Sequence, residues 1–426
     1  MFVINNKIER QLEAIDWDFP VRQKGLTSST HWYPGTFPAQ LPSAIIQALC
    51  TTDEIVFDPY GGSGTSAAES LRLGRKSWVV DINPIGILNS YLHAALILLK
   101  RQSPKKVKYF IDVVHKQLDT TPEGTLVLDF DSTLEKEELR TISLSLSSQM
   151  NPKPDELNRS LRKNEPNIQL LGQWVHNDTL EELINLHEKL NSFSDCAFYR
   201  LFVEGMISSN LRAICSQNKS WGHIADNCFP KIKVRKKVSV QLGKWLKKLS
   251  SNIENTQLIA PKTSSGVQYW CSLHNWNLND LPANSPETKP TLMVTSPPYG
   301  DAIDYIYAQK LSLFYLGYNE VDIQNLCNGE IGARRRRAKA NSRTIWAEQL
   351  ADSALKQADI MGNGLMVTIL PHKDHGREIG IKMMTESLQE NGWKSIFEMD
   401  RSICQKKTRQ SWTSIKQETI NIFSKE

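Results

Sequence analysis

The feature that most constrains the fold is a strand, a turn, a helix and a second strand in close succession between residues 54 and 81. The apolar run EIVFD (54–58) stops at Pro59, and Gly61-Gly62-Ser63-Gly64 follows before the helical pattern TSAAESLRL (65–73). SWVVD (77–81) is then a second strand that ends on an acid. Four such parts within about 30 residues form one βαβ unit of a parallel, Rossmann-like sheet.

Further strand patterns complete the predicted sheet: VQYWCSL (267–273), TLMVT (291–295), GLMVTILP (364–371), SIFEMD (395–400) and ETINIF (418–423). Residues 101–265 are polar, contain helical stretches and lack any strand–glycine–helix signal. We therefore predict an α/β fold with a mixed, mostly parallel sheet of seven strands. Residues 1–100 and 266–426 form its two halves, around a large, partly helical inserted domain at 101–265.

The composition excludes several classes of protein. The longest apolar run, Ala94–Leu99, is far shorter than the ~20 residues of a membrane span, and the charged N-terminus lacks the apolar core of a signal peptide. We therefore expect a cytoplasmic protein without a membrane partner. Seven cysteines without a CxxC pair argue against a disulfide framework and a thiolate zinc site. HKDH (372–375) is only weak support for a metal, so no metal centre is expected.

The glycine-rich turn has the chemistry of a site for a cation rather than a phosphate. It lacks the Gly-Lys-Ser/Thr ending of a P-loop and the GxGxxG spacing of a dinucleotide site. Asp58 at its mouth would repel a pyrophosphate but suits an ammonium or sulfonium group, while Asp81 is placed to accept hydrogen bonds from ribose hydroxyls. A lone glycine-rich turn is more often structural, but two acids at adjacent strand ends favour binding.

A second cluster, Thr295-Ser296-Pro297-Pro298-Tyr299-Gly300, directly follows a predicted strand. Consecutive prolines fix an extended backbone and remove two N–H donors, which leaves carbonyl acceptors beside a hydroxyl and an aromatic ring. Two acceptors and a ring suit a planar amine that donates two N–H bonds. A proline-rich turn with a packing tyrosine is the simpler alternative, although the position at a strand end favours a site.

DPYGGSGTS (58–66) together with TSPPY (295–299) resembles the S-adenosylmethionine-dependent amino-methyltransferases of DNA, and SPPY in place of DPPY resembles their N4-cytosine branch. His31-Trp32-Tyr33-Pro34 through Leu41-Pro42 resembles motif X, the N-terminal wall of the cofactor site in that family. The order of motif X, cofactor loop, insert and tetrapeptide is similar to the alpha group, whose insert is the target-recognition domain. The resemblance implies a class I methyltransferase fold.

The resemblance also implies a role for each motif. S-adenosyl-L-methionine would be held by Phe37, Asp58, Tyr60, Gly61, Gly62, Ser63, Gly64, Thr65 and Asp81, and Asn277 stands where the family usually has an acid that contacts the adenine. Ser296 and the Pro297 carbonyl would accept the N–H bonds of cytosine N4 and localise its lone pair, with Pro298 completing the rigid backbone. Tyr299 would stack on a base flipped out of the duplex.

Two basic stretches are predicted to bind double-stranded DNA, the partner that the resemblance implies. Residues 231–248 and 334–343 contain eight and six Lys or Arg, respectively, and no acid. The candidates for phosphate contacts are Lys233, Arg235, Lys236 and Lys237 in the first stretch and Arg334, Arg335, Arg336 and Arg337 in the second. A solvated helix face or loop is the alternative for each. The resemblance is consistent with the modification component of a restriction–modification system, with a separate endonuclease.

Four other functions compete with this one. N6-adenine methylation uses the same geometry on another exocyclic amine, and an RNA guanine-N2 methyltransferase could carry a similar tetrapeptide, so both stay open. A cytosine-C5 methyltransferase needs a thiolate nucleophile, usually in a Pro-Cys pair. It is excluded because no cysteine here follows a proline. Intact Asp58, Asp81 and Ser296 argue against a nucleic-acid-binding protein without activity, which cofactor binding would distinguish.

Overall fold

The computed structural model describes residues 6–21, 25–26, 30–51, 53–118, 131–216, 229–260, 270–280, 288–333, 336, 341–371, 377–403 and 415–425. Within these residues the strands form one sheet: β1 (Ile55–Asp58), β2 (Lys76–Val80), β3 (Met150–Asn151), β4 (Cys271–His274), β5 (Leu292–Thr295), β6 (Leu365–Pro371), β7 (Trp393–Ser402) and β8 (Gln417–Lys425).

The helices of the described residues cover both faces of the sheet. They are α1 (Asn6–Glu13), α2 (Gln40–Leu49), α3 (Thr65–Arg72), α4 (Pro84–Gln102), α5 (Pro104–Leu118), α6 (Asp131–Ser147), α7 (Pro154–Leu161), α8 (Ile168–Leu171), α9 (Asn177–Phe193), α10 (Ala197–Ile214), α11 (Val238–Glu254), α12 (Tyr305–Ala308), α13 (Lys310–Tyr315), α14 (Glu320–Asn328), α15 (Ser342–Met361) and α16 (Glu378–Glu390). A short 3-10 helix spans Leu278–Asp280.

The strand order is β3-β4-β2-β1-β5-β6-β8-β7, and β8 alone among the described strands runs antiparallel to its neighbours. The mixed, mostly parallel sheet predicted from the sequence is confirmed. The predicted count of seven strands is one short, because β3 pairs with β4 at the edge through Met150↔Cys271 and Asn151↔Ser272. This strand comes from the segment predicted as an insert, and two residues carry no periodic pattern that would reveal it.

Side chains alternate along the strands and build a core on each face. On one face, Phe57 of β1 stacks on Trp78 of β2 with ring centroids 4.3 Å apart, in a cluster that includes α15 and α16. On the other face, Val56 of β1 packs in a cluster with α2 and the strands β5, β6 and β8. Strands buried on both sides read as continuous apolar runs, which is why they stand out in the sequence.

The predicted insert shares its core with the helices that flank the sheet. Phe110 of α5 and Phe198 of α10 belong to the same hydrophobic cluster as Leu92 of α4 and Phe314 of α13. The packing of α10 on α4 is close, because a Cβ on Gly205 would lie 2.4 Å from Leu92 Cδ1. The insert is therefore a helical layer built against α4, and its role in target recognition stays a prediction.

Candidate functional site

The candidate site lies where the chain crosses from one side of the sheet to the other. After β1 the chain adds β2 and β4 on one side, and β5 then returns to the other side of β1. Since β1 and β5 are parallel, their carboxyl ends at Asp58 and Thr295 meet at one edge. Thr295 Oγ1 donates a hydrogen bond of 2.8 Å to Asp58 Oδ1. A switch point of this kind forms the ligand-binding crevice of open α/β sheets.

Asp58 joins the glycine-rich loop to the segment that contains Ser296. Its Oδ1 accepts the Tyr60 N–H at 3.1 Å as well as the Thr295 hydroxyl. Burial raises the pKa of Asp58 above its usual value, and the hydrogen bonds from Ser66, Thr295 and Tyr60 oppose that rise. The carboxylate is thus a structural link between the two motifs, and its predicted contact with a cofactor stays a prediction.

The glycines of the loop are required by its geometry. Gly64 precedes α3 with φ +73°, and a Cβ there would lie 2.8 Å from Ser90 Cα. A Cβ on Gly61 would lie 2.3 Å from Val79 Cγ1, while its N–H donates to the Val80 carbonyl at 3.0 Å. The loop, which connects β1 to α3, therefore turns tightly and packs closely against β2 and α4. A tight turn is what its glycine content predicted.

Asp81 lies between this loop and the N-terminus of α4. Its Oδ2 accepts the Gly62 N–H at 2.6 Å, and its Oδ1 accepts the Asn83 N–H at 2.8 Å. Gly86 permits the approach, since a Cβ there would lie 2.5 Å from Asp81 Oδ2. A carboxylate has about four acceptor positions, so two further hydrogen bonds remain available to a ligand. Burial raises the pKa of Asp81 to about 7, and the nearby charges of Asp58 and Glu330 contribute to that rise.

The crevice has an excess of acceptors and negative charge. Asp58, Asp81 and Glu330 are all buried, and the charges of Asp58 and Glu330 contribute to the raised pKa of Asp81. Asn89 on α4 donates to the Gly62 carbonyl at 3.4 Å, and its buried Oδ1 has no hydrogen-bond partner among the described residues. These groups fit a ligand that is cationic and rich in hydrogen-bond donors. S-adenosyl-L-methionine, with its sulfonium, ammonium and ribose hydroxyls, fits this set of acceptors.

The N-terminal segment at residues 30–37 borders the same crevice. Tyr33 stacks on Tyr305 of α12 with ring centroids 6.2 Å apart, and Asn83 Nδ2 donates to its hydroxyl at 3.4 Å. Its ring also borders the loop, because a Cβ on Gly62 would lie 3.2 Å from Tyr33 Cε1. The predicted wall of the site therefore contacts the glycine loop and α12, the helix that follows the tetrapeptide. Phe37 instead packs against the cluster formed with α2, and its predicted contact with a cofactor stays a prediction.

Two of the four carbonyls of the tetrapeptide Ser296-Pro297-Pro298-Tyr299 accept hydrogen bonds from the protein. The Pro298 carbonyl accepts from Trp346 Nε1 at 3.1 Å, and the Tyr299 carbonyl accepts from the Ala302 N–H at 3.1 Å. Within the described ranges, the Pro297 carbonyl has no protein donor. The carbonyl predicted to accept a substrate N–H thus lacks a donor among the described residues, and its contact with a substrate stays a prediction.

Side-chain hydrogen bonds extend from Ser296 across the end of the sheet. Ser296 Oγ donates to Tyr299 Oη at 3.0 Å, and Tyr299 Oη donates to Glu418 Oε1 at 2.7 Å. Arg401 Nη1 donates to Glu418 Oε2 at 2.7 Å. Burial, followed by the charge of Glu418, raises the pKa of Tyr299 well above its ordinary value, so its hydroxyl stays protonated.

Other predicted cofactor residues have protein partners of their own. The Tyr60 hydroxyl contacts Ser353 and accepts from Gln357 Nε2 at 3.1 Å, so its side chain is anchored on α15 and only its backbone faces the loop. Ser63 and Thr65 join their hydroxyls at 2.8 Å. Asn277 is half-buried, and its Nδ2 would lie 3.6 Å from a Cβ on Gly329. The predicted contact of Asn277 with the adenine stays a prediction.

The first basic stretch lies along an exposed, extended segment before α11. Lys233, Arg235 and Lys237 are exposed, with Arg235 at 3.4 Å from Asp178 and Lys233 bonded to the Gly172 carbonyl. Lys236 is less exposed and donates to the Ala213 and Cys215 carbonyls, each at 2.6 Å, at the end of α10. The ammonium of Lys236 thus caps the end of α10. The predicted DNA contacts of Lys233, Arg235, Lys236 and Lys237 stay predictions.

The second basic stretch falls mostly outside the described residues, which include Arg336 but not Arg334, Arg335 or Arg337. The guanidinium of Arg336 donates to the carbonyls of Cys327 (2.8 Å), Asn328 (3.0 Å) and Glu330 (3.1 Å) at the end of α14. Cations favour this end of a helix. Arg336 therefore caps a helix in this structure, and its predicted contact with DNA stays a prediction.

Two absences hold for the described part of the chain alone. No group of three or more His, Cys, Asp or Glu could hold a metal ion there, and HKDH (372–375) lies outside it. None of the described helices is long and apolar enough to cross a membrane.

Sequence reasoning missed the residues that support the tetrapeptide from other elements: Trp346, Arg377, Arg401 and Glu418, together with Glu330 beside Asp81. They lie up to 122 positions from Ser296, and no local motif marks them. One weak signal was present for Glu418. It is an acid at the start of a strand, and in a reversed strand this end meets the edge that carries the site.

Comparison with known proteins adds information mainly about the N-terminal part. Residues 5–88 match the DNA methylase family model. This stretch includes the N-terminal wall, Asp58, the glycine loop and Asp81. It excludes the tetrapeptide at 296–299, so the match does not separate N6-adenine from N4-cytosine enzymes.

Two individual proteins are also similar to parts or all of the chain. The Type II methyltransferase M.MjaII of Methanocaldococcus jannaschii is 25% identical over 148 residues, which cover 33% of this chain and 27% of that protein. The chain therefore spans about a quarter of the length of this relative. The rRNA methyltransferase aviRa of Streptomyces viridochromogenes aligns over 96% of this chain and 94% of its own, with 11% identity and a TM-score of 0.31.

Proposed function

We propose that the protein is a DNA methyltransferase that transfers a methyl group from S-adenosyl-L-methionine to the exocyclic N4 of cytosine in duplex DNA. The observation that carries the proposal is the 2.8 Å hydrogen bond from Thr295 to Asp58. It joins the acidic crevice to the segment that presents Ser296 and the Pro297 carbonyl. A site for a cationic donor and a site for an amine thus share one edge of the sheet.

When bound, S-adenosyl-L-methionine supplies an electrophilic methyl group on its sulfonium. Asp58 and the backbone of residues 60–64 would hold its methionine part, and Asp81 would accept from its ribose hydroxyls. The two carboxylates would meet its positive charge, and Asn89 Oδ1, which has no hydrogen-bond partner among the described residues, would accept from one of its donors.

The tetrapeptide would prepare the target amine. The lone pair of cytosine N4 is delocalised into the ring and is a weak nucleophile. If Ser296 Oγ and the Pro297 carbonyl each accept one N–H, the lone pair becomes localised and directed out of the base plane. Tyr299 would stack on the flipped base and fix that plane. Positioning then supplies much of the rate, and the nitrogen loses its proton after transfer, when it is cationic and acidic.

Cytosine is preferred over adenine because Ser occupies the first position of the tetrapeptide, where N6-adenine enzymes usually have Asp. N6-adenine methylation remains the second candidate, since the same two acceptors suit the adenine amine. RNA guanine-N2 methylation is less favoured, because residues 5–88 match DNA methylases. The partial similarity to a Type II methyltransferase supports a modification role in a restriction–modification system, with a separate endonuclease.

Methyl transfer from tritiated S-adenosyl-L-methionine to unmethylated genomic DNA, and in parallel to transfer RNA, tests this proposal. We expect label in DNA and a loss of at least about 100-fold for Ser296→Ala, which removes one of the two acceptors. Ser192→Ala, an exposed serine of α9, is the matched control and should label DNA as the wild type does. Label in RNA alone, or none in either, would contradict the proposed function.

A further inference from the structure

A serine hydroxyl at the first position of the tetrapeptide poses a problem that a carboxylate does not. An ionised Asp is an acceptor only, whereas a serine hydroxyl can donate or accept. If the Ser296 proton pointed toward the target amine, the two groups would present donors to each other. The proposed function therefore requires a partner that holds the Ser296 proton away from the substrate.

The structure contains such a partner. Glu418 is buried, with 7% of its surface exposed, and Arg401, with 4% exposed, donates to its Oε2 at 2.7 Å. An ionised Glu418 can only accept, so the Tyr299 hydroxyl must donate across their 2.7 Å contact. Tyr299 Oη has a single proton, and the Ile369 carbonyl at 3.4 Å is the weaker competitor for it.

The direction of the next hydrogen bond follows from this one. Because the Tyr299 proton is committed to Glu418, Tyr299 Oη can only accept from Ser296 Oγ at 3.0 Å. The Ser296 proton then points toward Tyr299, and the lone pairs of Ser296 Oγ stay available on its other side. A charge on β8 thus sets the polarity of a hydroxyl that follows β5.

The topology explains how Glu418 reaches the site. β8 is antiparallel to β6, and Glu418 pairs with Pro371 at the carboxyl end of that strand. The beginning of β8 therefore lies at the edge where the parallel strands β1, β5 and β6 end. Glu418 also pairs with Arg401 on β7, and Arg401 Nε donates to the Trp17 carbonyl at 2.9 Å, which fixes the guanidinium.

We propose that Glu418, held by Arg401, is a positioning residue that acts through Tyr299 to keep the Ser296 hydroxyl an acceptor for the target amine. The inference rests on the proposed function, because it needs an amine substrate at Ser296.

Glu418→Gln tests the inference with almost no change of shape. Arg401 will take the amide oxygen of Gln, which turns the amide NH2 toward Tyr299 and removes the acceptor that fixed the Tyr299 proton. Tyr299→Phe keeps the ring and the Arg401–Glu418 ion pair but deletes the hydroxyl. We expect each variant to lower kcat for DNA methylation by about 10- to 100-fold, with the KM for S-adenosyl-L-methionine unchanged within about twofold. Glu398→Gln, an exposed glutamate of β7, is the matched control and should leave both constants unchanged.

The double variant Glu418→Gln/Tyr299→Phe separates this role from a structural one. If Glu418 acts only through Tyr299, the double variant will be no slower than the slower single variant. Losses that multiply, or a Tyr299→Phe enzyme as fast as the wild type, would overturn the inference even if Glu418→Gln also unfolds at a lower temperature. A wild-type protein that methylates neither DNA nor RNA would instead refute the proposed function itself.

Discussion

The pH dependence of cofactor affinity follows from the position of Asp81. Its carboxylate already accepts from Gly62 and Asn83, and its pKa is raised to about 7 by burial and by the charges of Asp58 and Glu330. In the proposed function Asp81 accepts from two ribose hydroxyls, which are donors, so the ionised carboxylate is the form that would bind. Protonation removes an acceptor position and adds a donor, and affinity must therefore fall as the pH falls through about 7.

The magnitude follows from the fraction of Asp81 that is ionised. For a group with the pKa of Asp81, about 7, roughly 10% is ionised at pH 6 and roughly 75% at pH 7.5. The Kd for S-adenosyl-L-methionine should therefore be about eightfold higher at pH 6 than at pH 7.5. His31, His93 and His274 do not interfere, because burial lowers the pKa of each to about 4.

Isothermal titration at constant ionic strength between pH 6 and 7.5 measures this effect. The interval stops at pH 7.5 because the α-amino group of the cofactor loses its proton above this pH, with a pKa of about 7.7–8.0. Asp81→Asn is the control, and it should bind weakly with a Kd that is flat over the interval. A wild-type Kd that is constant, or one that falls toward pH 6, would refute the reasoning, as would an Asp81→Asn protein with the same slope.

Three further outcomes are expected from other parts of the molecule. Gly64→Ala should lower the free energy of unfolding by about 1–3 kcal/mol more than Gly392→Ala in thermal denaturation. Both glycines have a positive φ, but only a Cβ at residue 64 would clash with the backbone of a neighbouring residue. Thr295→Val should cost about 1–3 kcal/mol of stability, because it removes a donor from buried Asp58, and equal stability would contradict that link. The triple change Lys233→Gln, Arg235→Gln and Lys237→Gln should reduce the slope of log Kd for DNA against log salt by about 2–3, and an unchanged slope would exclude the segment from the DNA interface.

The sheet could be predicted from the sequence because its strands are buried on both faces. EIVFD, SWVVD, TLMVT and GLMVTILP stand out as apolar runs. β1, β5 and β6 fall within their runs, and β2 begins one residue before SWVVD. β3 could not be predicted, because two residues at a sheet edge have no period. The way the insert packs was equally hidden, since the contact of Gly205 with Leu92 joins residues 113 positions apart.

The candidate site was predictable where one motif carries its own chemistry. Asp58, Asp81 and Ser296 each follow a predicted strand, and parallel strands bring their carboxyl ends to one edge. The contacts of Glu418 with Tyr299 and Arg401 were not predictable, because they depend on a reversed strand whose place in the sheet no local pattern fixes. The role of Arg336 also needed the structure, since a run of arginines does not reveal which one caps a helix.

The measurement that tests the central claim most directly is the identity of the methylated nucleoside. The protein is incubated with unmethylated genomic DNA and tritiated S-adenosyl-L-methionine, and the DNA is digested to nucleosides and separated. We predict label in N4-methylcytosine, and sequencing of the product would then give the recognition site. Label in N6-methyladenine would contradict the assignment of cytosine to Ser296, and the absence of label from DNA would contradict the claim of DNA modification.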